Sequence, residues 1–131
     1  MKSLLPSGWP RPKGYSNGVS AGGRTIFTAG VVGWDEQERF LAADLAGQFA
    51  QVLRNILAIL AEDGAGPEHV VRMTCYVTSV AEYRASLAEI GAAWRETMGK
   101  NFPAMAVVEV AALVEPEAKV EIEATAVVPD P

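Results

Sequence analysis

Three glutamates, Glu109, Glu121 and Glu123, stand inside otherwise apolar runs near the C-terminus. An ionised carboxylate is costly to desolvate without a partner. The runs therefore form either a solvated sheet face or a face that closes onto another subunit, with one glutamate working in the cleft between them. The other candidates are solitary. His69 has no partner His or Cys at metal-ligand spacing and no Ser or Cys placed to suggest a triad, so it is expected to be a surface residue. Cys75 is the only cysteine, which excludes an intramolecular disulfide and a multi-cysteine metal site. Alternation puts it on a covered strand face as an inert thiol. Gly14, Gly18, Gly22, Gly23, Gly30 and Gly33 match no phosphate-cradling pattern and serve turns. Tyr15 is a packing anchor or a pocket wall with a usable hydroxyl, and Trp34 a binding rim or a core plug.

The elements that must hold these residues follow from periodicity. Residues 1–14 contain three prolines and two glycines and are expected to form an extended arm. Ser16–Ala21 and Arg24–Ala29 flank Gly22-Gly23, which predicts a tight hairpin. Asp44 caps a helix ending near Asp63, with Leu45, Phe49, Val52, Leu53, Ile56, Leu57 and Leu60 on one stripe. His69–Thr78 is a strand with Val71, Met73, Cys75 and Val77 on one side and Arg72, Thr74 and Tyr76 on the other. Ser79-Val-Ala-Glu82 is a capping box opening a helix to Met98, with Val80, Tyr83, Leu87, Ile90, Trp94 and Met98 as its buried stripe and Gly99 as its stop. Strands at Met105–Ala111 and Lys119–Val127 follow, joined by an acidic, proline-containing turn.

This order, ββαβαββ, predicts an α+β domain over residues 1–131 with two crossover helices on one face of a single sheet. The other face is left bare. It is expected to carry Val107, Thr74, Tyr76 and Val127 alongside Arg72, Glu109, Glu121 and Glu123, a half-apolar surface suited to an oligomer interface. Composition narrows the function. Lys and Arg number 11 against 16 Asp and Glu, a net charge of −5, and no basic stripe exists to meet phosphates, so no nucleic-acid partner is expected. No apolar run is long enough to span a bilayer. Leu4-Leu5 is the only apolar pair at the N-terminus, so no signal peptide is read and the cytoplasm is the expected location.

Several stretches together resemble the RidA/YjgF family of reactive-intermediate deaminases. They are Gly14-Tyr15-Ser16-Asn17-Gly18-Val19, Phe27-Thr28-Ala29-Gly30, Gln48 to Asn55, Val70 to Thr78, Phe102-Pro103-Ala104 and Val120-Glu121-Ile122-Glu123-Ala124. The resemblance runs from about residue 14 to residue 127. It implies a chorismate-mutase-like fold, a barrel-like homotrimer joined through the bare faces, and small-molecule clefts between subunits. It implies cofactor-free hydrolysis of an enamine or imine to a carbonyl compound and ammonia. By motif, Tyr15 falls on the family's cleft tyrosine. Gly30, with Val31 after it, falls on the glycine whose backbone faces the ligand. Glu121 falls on the acid that positions water. Where the deaminases carry a carboxylate-clamping arginine this chain has Met105, and Leu87 falls on a polar asparagine. Methionine has neither charge nor donors, so small imino acids lose roughly 2–5 kcal/mol of binding unless Arg72 or Arg84 substitutes. Val107 closes a cysteine route present in some relatives. Two functions follow: a deaminase with a larger, more apolar substrate, such as an aromatic-ring-cleavage enamine, or a non-catalytic small-molecule-binding trimer with a regulatory or protective role. A nuclease role, attached to some relatives, conflicts with the acidic charge.

Overall fold

The computed structural model describes residues 1–131. Its organising element is the last strand, β7 (Val120–Val128), because three strands pair with it directly. Strand β3 (Arg24–Phe27), strand β4 (Val31–Val32) and strand β5 (Val70–Val77) all run antiparallel to β7. Strand β6 (Ala104–Glu109) adds to β5 in parallel, and on its far edge only Ser16 of the arm bridges to it, at Ala104. The sheet order is β3-β7-β5-β6, so β6 and β7 are not a hairpin: β5 lies between them.

Helix α1 (Leu45–Ala61) starts where expected, the Asp44 carboxylate accepting from the Gly47 amide. Its apolar stripe packs on β7 and β4, and every expected position except the half-buried Leu57 is fully buried. The second expected helix is two. Helix α2 (Val80–Ala85) stops at Ser86, whose ψ of 14° breaks the helical path, and helix α3 (Leu87–Thr97) restarts from it. Gly99, at φ 63°, ends α3 in the left-handed conformation that glycine adopts without a Cβ penalty. The Ser79 hydroxyl accepts from the Glu82 amide as a cap, but the Glu82 carboxylate pairs instead with Lys119 Nζ at 2.7 Å. The first amide of α2, that of Val80, donates to Glu109.

The predicted hairpin across Gly22-Gly23 does not form. The strand before it, β2 (Val19–Ser20), pairs with β1 (Lys2–Ser3) of the arm, and β3 pairs with β7. Gly23 is needed for a different reason: a Cβ there would overlap the Val128 carbonyl. Register also corrects two face assignments. A bulge between Val70 and Arg72 turns Val70 into the core and leaves Val71 half-buried. Met105, Val107 and Glu109 pair with Met73, Cys75 and Val77, so they lie on the helix-covered side and not on the bare one. The bare face instead carries Phe27, Arg72, Thr74, Tyr76, Val108, Glu121, Glu123 and Val127.

Candidate functional site

The sheet separates the expected site residues into two groups. On the helix-covered side Tyr15, Leu87 and Met105 line one cavity of about 450 Å³, with Phe49, Tyr83, Ile90, Trp94 and Val107 among its walls. Each wall has a local cause. Met105 and Val107 alternate inward from the edge strand β6, where no further strand covers them. Leu87 opens α3 and is exposed, not buried as its place in the stripe predicted, because the break at Ser86 ends the continuous α2 stripe. Tyr15 is brought over β6 by the arm: the Ser16 amide donates to the Pro103 carbonyl at 3.0 Å, and the Ser16 hydroxyl donates to Phe102 O. Trp94 stacks on Phe102 with the rings 6.2 Å apart and within 5° of parallel. Phe49 meets Tyr83 edge to face, and burial pushes the Tyr83 phenol up to about 12.

On the bare side Glu121 and Gly30 are in contact. A Cβ on Gly30 would fall 2.8 Å from Glu121 Cδ, so only glycine leaves room for the carboxylate to lie across the backbone there. Val31 pairs with Ile122 and its side chain belongs to the core, so it offers that surface only its main chain. Glu123 is held by Tyr76, whose hydroxyl donates to it at 2.9 Å, and this bond raises the Tyr76 pKa above its ordinary value. Glu109 lies apart from both, capping α2.

The remaining candidates take structural places. Cys75 is fully buried, and burial raises its thiol to about 12, well above the reactive range. His69 Nδ1 accepts from the Gly66 amide at 2.9 Å and closes the turn before β5. Trp34 is half-buried against Phe40 in its loop and presents its carbonyl to Asn55. Arg72 lines a smaller cavity of about 220 Å³ beside Ser16, Asn17 and Ala104, and Arg84 lines neither of these two.

Three residues escaped the sequence reading. Gln48 is buried in α1. Its amide donates to the carbonyls of Ala42 and Glu117 and accepts from the Lys119 amide, fastening the 110–119 loop to the helix. Lys13 and Arg95 line the larger cavity and are its only charged walls. Arg95 was detectable in principle, since Leu87, Gly91 and Arg95 recur at helical spacing on one face of α3.

A family model described as Endoribonuclease L-PSP matches residues 10–128. A RutC family protein of Synechocystis is 34% identical over 131 residues, covering 98% of each chain. A 2-iminobutanoate/2-iminopropanoate deaminase of Salmonella typhimurium is 34% identical over 113 residues, covering 86% of each. Among solved structures, a Rid-family protein of unknown function from Yersinia pestis superposes with a TM-score of 0.82 at 36% identity, covering 97% of this chain and 98% of its own. No helix here is long and apolar enough to cross a membrane.

Proposed function

The chain belongs to the YjgF/RidA family, and from that premise we propose that it works as a homotrimer whose intersubunit clefts hydrolyse an enamine or imine to a carbonyl compound and ammonia. One observation carries this reading: the expected site residues sit on opposite faces of a sheet of which this chain covers only one. Tyr15, Leu87 and Met105 belong to the helix-side cavity, and Glu121 with Gly30 to the bare face. A complete cleft then needs the cavity of one copy against the bare face of the next. Exposed Phe27 and Val108 on that face give a second copy apolar surface to cover.

In this cleft the Glu121 carboxylate orients a water towards the imine carbon and accepts its proton as the C–O bond forms. Protonated Glu121 returns that proton to the nitrogen, and collapse of the carbinolamine to the carbonyl, its hydroxyl proton also passing to nitrogen, expels ammonia. The Gly30 and Val31 backbone lies beside that carboxylate and lines the same surface. Tyr15 walls the ligand from the other side. The absence of a cation at Met105 favours substrates larger and less polar than the two- to four-carbon imino acids, and it also supports the second reading, a trimer that binds such a molecule without turning it over.

Ammonia release tests both. Imines generated by an amino-acid oxidase from a panel of side chains are the substrates. Turnover on at least one, lost in Glu121→Ala, is the expected result. No turnover on any imine, with a small molecule still bound at the cleft, leaves the binding protein. A well-folded monomer in analytical ultracentrifugation overturns both.

A further inference from the structure

Lys13 and Arg95 stand at the helix-side cavity with no counter-charge from their own chain. No Asp or Glu lines it. The Arg and Lys ion pairs within the chain engage Arg24, Arg39 and Lys119, and leave both cavity cations without a partner in their own subunit. Both are exposed, so they stand at the mouth, whereas Phe49 and Trp94, almost fully buried, form the floor. We infer that this cavity takes an amphipathic monoanion: a ring-bearing apolar body on Phe49, Trp94 and Met105, with its carboxylate at the mouth against Arg95 and Lys13. The inference rests on reading this cavity as one half of the ligand cleft, and it names the ligand class.

Three features of the cavity converge on that class. Its volume, about 450 Å³, falls in the range of pockets for ring-sized ligands, and a three-carbon acid leaves most of it empty. Nine of its 13 lining residues are hydrophobic, so the body of the ligand must be apolar. Gly91 keeps the mouth open: it sits in the interior of α3, where glycine disfavours the helix, and a Cβ there would meet only Arg95 Nη1, at 3.4 Å. The guanidinium thus borders the space that a side chain at position 91 would enter. Where the resemblance implies a cation on strand β6, the cationic end of this cavity lies on helix α3 and the arm. The ligand's acid end turns outward with it.

Isothermal titration of the native protein with hydrocinnamate, the alcohol of the same skeleton, and acetate tests this. Hydrocinnamate is expected to bind about tenfold more tightly than the alcohol, as a charge-assisted hydrogen bond provides, and acetate not measurably. Arg95→Gln should bring the acid close to the alcohol and leave the alcohol unchanged, while Arg95→Lys retains part of the preference. Arg95 is exposed, so these variants do not disturb the core. Gly91→Leu should weaken acid and alcohol alike by filling the mouth. Equal affinity for acid and alcohol, an acid preference that survives Arg95→Gln, or no binding of either overturns the inference. Ammonia release is measured separately on imines made from alanine and phenylalanine. Hydrocinnamate binding by the rules above with no turnover supports this inference and removes only the deaminase. Turnover of the alanine imine without hydrocinnamate binding overturns this inference and leaves the deaminase standing.

Discussion

On β7, Ile122 and Glu121 are adjacent in sequence and opposite in environment. Ile122 is fully buried against α1 and the rest of the core, all supplied by its own chain. Glu121 faces the bare side, where its chain offers it the Gly30 backbone and a neighbouring Tyr76 but no helix. The same contrast runs across the sheet. Met73, Cys75 and Val77 are closed over, while Thr74 and Tyr76 stay half-exposed. The helix side is a finished core with one cavity at its open edge. The bare side is a surface whose polar groups are organised, as Tyr76 and Glu123 are, but whose apolar groups have no cover in the chain. Stability of the subunit is therefore set on one side, and the proposed chemistry calls on the other.

The sharpest way to test that division is to truncate neighbouring positions of β7. Ile122→Ala should lose roughly 2–5 kcal/mol in urea unfolding, from transfer and cavity terms together. Glu123→Ala breaks only the bond from Tyr76 and should stay within about 1 kcal/mol. Comparable losses would mean that the bare face carries subunit stability as well. Next in size is Met105→Arg. If the missing clamp alone excludes small imino acids, this change should raise activity on 2-iminopropionate by about tenfold or more. Silence would show that the apolar walls, Leu87 first, also exclude them.

Alkaline titration probes the covered face alone. Burial lifts Cys75 from its ordinary 9.0 to about 12, and Tyr83 from 10.0 to about 12. The unfolded chain releases both protons at lower pH than the folded one. Stability is thus intact below about pH 9 and falls as pH rises from there towards 12, by up to about 1.4 kcal/mol per pH unit for Cys75. Tyr83 adds less, because it is partly open to solvent screening. The native thiol should also resist Ellman's reagent at pH 8 until the protein unfolds. Rapid labelling of folded protein would place Cys75 nearer the surface.

Local periodicity was legible in helix α1 and strand β7, and failed where Ser86 breaks the second helix and a bulge displaces Val71. The Asp44 cap and the stripe from Leu45 to Leu60 repeat every turn whatever packs on them, so helix α1 could be drawn from residue types alone. The alternation of Val120, Ile122, Ala124 and Ala126 against Glu121, Glu123 and Thr125 held for the same reason. So did the burial of Cys75 and the stop at Gly99. Alternation, however, says only which residues of a strand share a face. It does not say which face of the sheet that is, and pairing register decides this. Pairing Val107 with Cys75 moved Met105, Val107 and Glu109 under the helices, against expectation. Register likewise sent β3 to β7 and β2 to β1 in place of a hairpin. The sequence by itself determined helix α1, the long strands and the residue types that alternate along them, because those depend on bonds between near neighbours. Only the tertiary structure decided that Arg95 and Lys13 stand at the mouth of the Met105 cavity, and that Glu121 lies across Gly30 on the opposite face. Those meetings join residues far apart along the chain, and no local pattern encodes them.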